Sequence, residues 1–278
     1  MQQDSLNIDF ERRFGGVARL YGSNALARFK NARVCVVGVG GVGSWVVEAL
    51  ARSAIGHITM IDLDNVAESN VNRQIQATSA TLGQAKVTAL AERIGQINPY
   101  CQVTEIEDFV EPDNLDAMIG ARHFDYVIDA IDSVKAKTAL IAYCRQHAVA
   151  LITIGAAGGQ TDPCKIEIRD LSRTEQEPLL ALVRKRLRQN YGFPRGSKSK
   201  FGIDAVFSME ALRMPETPET AEVCELDASS GVTGLNCAGF GSSIVVTASF
   251  GLAAAAQVLR HLAADANSDM VKTDKIDG

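Results

Sequence analysis

Glycines at 38, 40, 41 and 43 directly follow the apolar run 33–37. Lacking Cβ atoms, they let the backbone approach a phosphate closely, and the free N–H groups at the start of a following helix can hold it. Close packing of that helix on the strand is the purely structural use of the same glycines. Asp62 ends a second apolar run 19 residues past Gly43, where a carboxylate can accept hydrogen bonds from ribose hydroxyls. To this point an NAD-dependent oxidoreductase fits as well as an ATP enzyme. The polar set Asp64, Ser69, Asn70, Asn72, Arg73 and Gln74, followed by Lys86, favours a triphosphate. Arg73 can present a planar fork to phosphate oxygens and Lys86 a point charge, neither of which a pyrophosphate bridged to nicotinamide requires. Asp132 and Ser133 follow a further apolar run ending at Asp129, so they belong at the carboxyl edge of a sheet, where ligands bind. Asp132 is the magnesium candidate, with a helix N-cap as its structural alternative.

Those residues need a frame that brings them together. Strands are expected at 33–37, 57–62, 102–106, 126–129 and 151–154, alternating with helices at 42–51, 86–97 and 135–146. The alternation predicts an α/β, Rossmann-like, mostly parallel sheet with helices on both faces. Residues 1–160 are read as the ATP-binding domain with an N-terminal helical arm. Residues 161–264 form a C-terminal extension, with a strand at 165–169 and a helix at 177–189, and 265–278 a tail.

The chain has 278 residues, 46% of them apolar and 22% charged, enough for a large core. Its net charge of -5 and isoelectric point near 5.5 exclude a protein that coats nucleic acid through a broad basic surface. One local exception exists. Arg184, Lys185, Arg186, Arg188, Arg195, Lys198 and Lys200 occur with no acid among them and with Tyr191 and Phe193 interleaved. That pattern suits a phosphate backbone and unstacked bases, or else a solvated helix face. The stretch 238–259 is long enough to span a bilayer, but its glycines, serines, Thr247 and Gln257 suit a buried or interface helix, and no membrane insertion is expected. Six scattered cysteines and no charged-then-apolar leader point to a reducing cytoplasm. The four histidines have no ligand spacing. Cys237, in a glycine-rich setting, is a candidate reactive thiol for a sulfur-transfer partner, and the other cysteines read as packing residues.

Gly-x-Gly-Gly-x-Gly, Asp62, Ser69-Asn70-x-x-Arg73-Gln74, Gly83-Gln84-x-Lys86 and Asp129-x-x-Asp132 together resemble the ubiquitin-activating-type adenylyltransferases, over roughly residues 10–160. That superfamily includes the enzymes that activate molybdopterin synthase and thiamine sulfur carriers. The resemblance implies that Asp62 holds ribose, Asn70, Arg73 and Lys86 hold phosphates, and Asp132 holds magnesium. It also implies a homodimer in which an N-terminal arginine reaches the neighbouring ATP, and the spacing leaves Arg13 and Arg19 both open. Carrier-activating members commonly hold zinc with Cys-x-x-Cys pairs; this chain has none, so no zinc is expected. That departure, with the opening Arg-Phe-Gly-Gly-x-Ala-Arg-Leu-Tyr-Gly and the segments 155–163, 204–208 and 237–241, is similar to one branch, the tRNA threonylcarbamoyladenosine dehydratases. The implied reaction is ATP-driven dehydration of threonylcarbamoyladenosine next to the tRNA anticodon, through adenylation of the threonyl carboxylate. Adenylation of a sulfur-carrier C-terminus, an NAD-dependent oxidoreductase and a non-catalytic nucleotide-binding scaffold are the alternatives.

Overall fold

The computed structural model describes residues 9–196, 198–213 and 240–273, with side chains from 267 onward excepted. Two helices, α1 (Phe10–Tyr21) and α2 (Ser23–Asn31), precede β1 (Arg33–Val37), after which strand and helix alternate. In order come α3 (Gly43–Arg52), β2 (His57–Ile61), α4 (Lys86–Ile97), β3 (Gln102–Ile106), the short α5 (Leu115–Met118), β4 (Tyr126–Asp129), α6 (Val134–Gln146) and β5 (Leu151–Ile154). The chain continues through β6 (Ile166–Asp170), α7 (Pro178–Asn190), β7 (Asp204–Ser208) and α8 (Ile244–Thr273).

The seven strands among the described residues form one sheet in the order β3-β2-β1-β4-β5-β7-β6, parallel except for the β6–β7 pair. β1, β4 and β5 are apolar on both faces and buried almost throughout, as strands covered on both sides must be. One face carries Phe29 of α2, Val46 and Leu50 of α3, Leu90 of α4 and Phe250 and Val258 of α8. The other carries Leu140 and Ile141 of α6 and Leu180, Val183 and Leu187 of α7. The expected architecture is therefore present, and the segment expected as an extension supplies β6, β7 and α8 to the same body.

Helix α8 is long and apolar enough to cross a bilayer over 244–266, yet it lies against α2 and α3. Its approach to α3 is close because Gly251 has no side chain: a Cβ there would sit 2.6 Å from the Val42 carbonyl oxygen. The strand order reverses between β1, which continues to β2, and β4, which continues to β5. In a sheet of this kind the crevice at that reversal, beyond the carboxyl ends of the strands, is the ligand site.

Candidate active site

A cavity of about 750 Å3 opens at that crevice. Its floor is the turn after β1, whose shape depends on two glycines. Gly38 has φ +83, and a Cβ on Gly43 would lie 1.8 Å from the Gly38 carbonyl oxygen, so α3 can start this tightly only with glycine there. Gly38, Gly40 and Gly41 line the cavity, whereas Gly43 sets the turn. Asp62, at the end of β2, accepts the Val39 N–H at 2.7 Å and the Asp64 N–H at 3.0 Å. Burial raises its pKa above the ordinary aspartate value, against the opposing pull of the Lys86 ammonium and those two N–H groups.

Lys86, buried in the first turn of α4, places its ammonium 2.6 Å from Asp64 and 3.7 Å from Asp62. Arg73 lies beside the glycine turn, its side chain 3.2 Å from where a Gly41 Cβ would stand. The Arg73 guanidinium donates to the Ser69 carbonyl oxygen at 2.7 Å and to Asn72 Oδ1 at 3.0 Å, and its own carbonyl accepts from Trp45 Nε1. Asn70 and Gln74 line the same wall. Ser69 and Asn72 do not face the cavity: Ser69 supplies its carbonyl to Arg73, and Asn72 Nδ2 reaches the Ser242 carbonyl oxygen at 3.1 Å.

Across the crevice, Ser133 Oγ accepts the Ala136 N–H and so caps α6. The cap is thus Ser133, and the Asp132 carboxylate faces the cavity without a hydrogen-bond partner among the described residues. Beneath it a fully buried ion pair ties the strand ends together. Lys137 Nζ lies 2.9 Å from Asp129 Oδ2, and donates to Thr153 Oγ1 at 3.1 Å and to the Ile154 carbonyl oxygen at 2.9 Å. Thr153 Oγ1 in turn donates to Asp129 Oδ2 at 2.7 Å. Glu177 caps α7 and accepts the Ala156 N–H at 2.8 Å, which fixes the loop after β5 against the cavity.

Several residues on this wall escape a motif-based reading: Lys135, the apolar rim Phe109 and Val110, the loop from Gly155 to Gly158, and Leu179, the second residue of α7. The glycines of 155–159 were visible in the sequence; their position at the end of β5 is the signal that marks them.

The N-terminal arginines lie away from this cavity. Arg13 donates to the carbonyls of Gln96 and Ile97 at 3.2 and 2.7 Å, completing the end of α4, whereas exposed Arg19 makes no ion pair or hydrogen bond among the described residues. Of the seven C-terminal cations, Arg184, Lys185, Arg188 and Arg195 gather with Arg173 around a second cavity of about 600 Å3 that no carboxylate among the described residues lines. Burial first, and then the charge of Arg188, depress the Arg184 pKa. Arg186, Lys198 and Lys200 lie outside that lining. Phe193, expected as a stacking surface for bases, is instead buried against Phe201 and under the Arg145 guanidinium, while Tyr191 is exposed. Cys237 lies outside the described residues. Among the described cysteines, burial pushes the Cys101 and Cys144 thiols up to about 12 and Cys35 higher still, which makes all three inert packing groups.

The sequence matches the ThiF family over residues 14–276. It is 50% identical over 255 residues to the tRNA threonylcarbamoyladenosine dehydratase of Haemophilus influenzae, covering 91% of this chain and 94% of the relative. It is 51% identical over 259 residues to the dehydratase of the same name from Escherichia coli, covering 92% and 96%. In three dimensions it is similar to the crystal structure of the E. coli tRNA N6-threonylcarbamoyladenosine dehydratase in complex with ATP, with a TM-score of 0.82 and 48% identity over 93% of this chain and 96% of that one.

Proposed function

The chain belongs to the ThiF family, and from that premise we propose that it is an ATP-dependent dehydratase that cyclises threonylcarbamoyladenosine in tRNA through an acyl adenylate. The observation that carries this reading is the convergence of Asp62, Asn70, Arg73, Lys86 and Asp132 on one cavity at the sheet's reversal point, in a chain half identical to enzymes of that name along nearly its whole length.

Asp62 accepts the ribose hydroxyls. The glycine turn and the start of α3 receive the phosphates, with Arg73 and Lys86 beside them. Asp132, a carboxylate at the cavity wall with no partner among the described residues, is the residue that would hold magnesium, an ion commonly bound by one or two carboxylates plus substrate phosphates and waters. When bound, it would neutralise charge that develops on the phosphates. A threonyl carboxylate oxygen attacks the α-phosphorus, the bond to the bridging β-phosphate oxygen breaks, and pyrophosphate leaves. The carbamoyl group of the same substituent then attacks the activated carbonyl, expelling AMP and releasing one proton. The oxygen lost from the carboxylate departs on AMP, so the tRNA has lost one water. Because nucleophile and electrophile sit on one substituent, the protein needs to hold a geometry rather than supply a covalent catalyst.

The cation-lined cavity on α7 suits the tRNA backbone. Leu179 of that helix lines the ATP cavity and Arg188 lines the basic one, nine residues or about 14 Å along the axis. Arg19, which makes no ion pair or hydrogen bond among the described residues, is better placed than Arg13 to reach a neighbouring site in a homodimer. A cytoplasmic location accords with this substrate, and a sulfur-transfer partner acting through Cys237 would be a separate activity. The decisive experiment is mass spectrometry of tRNA nucleosides after incubation with ATP and magnesium. Loss of one water from threonylcarbamoyladenosine is expected, and an unchanged nucleoside alongside stimulation of ATP–pyrophosphate exchange by a small carrier protein would reverse the assignment.

A further inference from the structure

The ATP cavity divides into two halves of unequal charge chemistry. On the β1–β2 side stand both cations assigned to phosphates, and each already has protein partners: Lys86 with Asp62 and Asp64, Arg73 with Ser69 and Asn72. The other half, built from the start of α6, the loop after β5 and the start of α7, is where a second reactant has to sit once the nucleotide occupies the glycine turn and Asp62. That half contains the Asp132 carboxylate and one cation, Lys135, in the first turn of α6. Lys135 is exposed to the cavity, and its ammonium has no ion pair or hydrogen bond among the described residues, Asp132 included.

Adenylation sets an electrostatic problem that the nucleotide-binding residues do not solve. A carboxylate must come within bonding distance of a polyphosphate, and both reactants are anions. Like charges brought into contact in a partly desolvated cleft repel more strongly than they do in water. A cation on the incoming side offsets this and orients the carboxylate oxygen. We propose that Lys135 is that cation: it binds the carboxylate of the substrate's amino-acid substituent and presents it to the α-phosphate. The proposal rests on the functional reading above and adds a substrate subsite to it.

The test compares binding of two tRNAs in the presence of a non-hydrolysable ATP analogue and magnesium. One carries the free threonylcarbamoyl carboxylate and the other the same group capped as its methyl amide. Wild type should prefer the free carboxylate by about tenfold, the scale of one partly exposed charge-assisted hydrogen bond. Lys135→Gln should reduce that preference to about twofold or less while leaving affinity for the capped tRNA in place, and Lys135→Arg should retain most of it, because either cation can pair with a carboxylate. Full preference in Lys135→Gln would overturn the proposal. So would an equal loss for both tRNAs, which would make Lys135 a backbone-phosphate contact. Dehydration of the modified tRNA by wild type is measured alongside. If it proceeds while the preference survives in Lys135→Gln, the subsite falls and the enzyme reading stands; if wild type neither releases pyrophosphate nor dehydrates the tRNA, both fall.

Discussion

Replacing Lys137 with methionine should both unfold the protein more easily and loosen its ATP site, because one buried ammonium joins the ends of two central strands. It is fully buried, 2.9 Å from an equally buried Asp129 carboxylate, and it also donates to Thr153 and to the Ile154 carbonyl. Methionine preserves much of the side-chain length and leaves the Asp129 carboxylate, among the described residues, with only Thr153 Oγ1 and the Ile131 N–H as donors. Breaking one partner out of a buried pair costs about 3–5 kcal/mol, mostly the penalty of the stranded charge. At about 2 °C per kcal/mol for a chain of this size, the midpoint of thermal unfolding should fall by about 6–10 °C. Urea unfolding followed by circular dichroism measures the free energy directly. The control is Lys137→Met combined with Asp129→Asn, which removes the stranded charge and should recover about half of the loss. Affinity for ATP should drop in the single variant, since Asp132 and the loop 155–158 both begin where Lys137 holds the strands. A loss below about 1 kcal/mol, or a double variant no more stable than the single, would refute the assignment of this pair as a latch.

Gly43→Ala should cost at least about 3 kcal/mol, because its Cβ would stand 1.8 Å from the Gly38 carbonyl oxygen and the turn would have to open; urea unfolding with near-normal stability would show that the turn yields. Glu48 is buried, which pushes its pKa up, but hydrogen bonds from Arg93 and Arg52 outweigh burial and hold it below the usual carboxylate value. A depressed folded-state pKa adds stability above the unfolded value near 4.3 and loses it as pH falls through the folded one. The stability gap between wild type and Glu48→Gln should therefore be full near pH 6 and close below about pH 4.3, and a gap independent of pH would contradict it. For the basic cavity, Arg173→Gln with Lys185→Gln should weaken tRNA binding and lower the slope of log K against log salt by about 0.7 for each phosphate that is no longer neutralised. An unchanged slope would remove those two side chains from the RNA interface.

How much of this was legible in the sequence depended on whether a residue's role was set by its neighbours in the chain or by distant ones. Asp62 was legible because a strand end and a 19-residue spacing from the last glycine of the turn are local facts. Asp132 was half legible: the sequence left cap and metal ligand open, and Ser133, by taking the cap, removed the first of these. Phe193 was misread as a stacking surface because its partners, Arg145 and Phe201, meet it only once α6, α7 and the segment before β7 are assembled. The same limit hid the continuation of the sheet, since β6 and β7 pair antiparallel across the whole of α7.

The two lysines of α6 show the limit most clearly. Lys135 and Lys137 are alike in sequence, yet two residues along a helix is a rotation of about 200°. One therefore faces the open cavity and the other the strand ends beneath it. Which lysine meets the substrate and which holds the sheet is decided by the rotational setting of α6, and that setting is fixed by Leu140 and Ile141 packed in the core further along the helix. A charge next to a motif thus acquires its chemistry from apolar residues beyond it in the same helix. Moving that apolar pair by two positions, a rotation of about 200°, would exchange the roles of the two lysines without altering the motif.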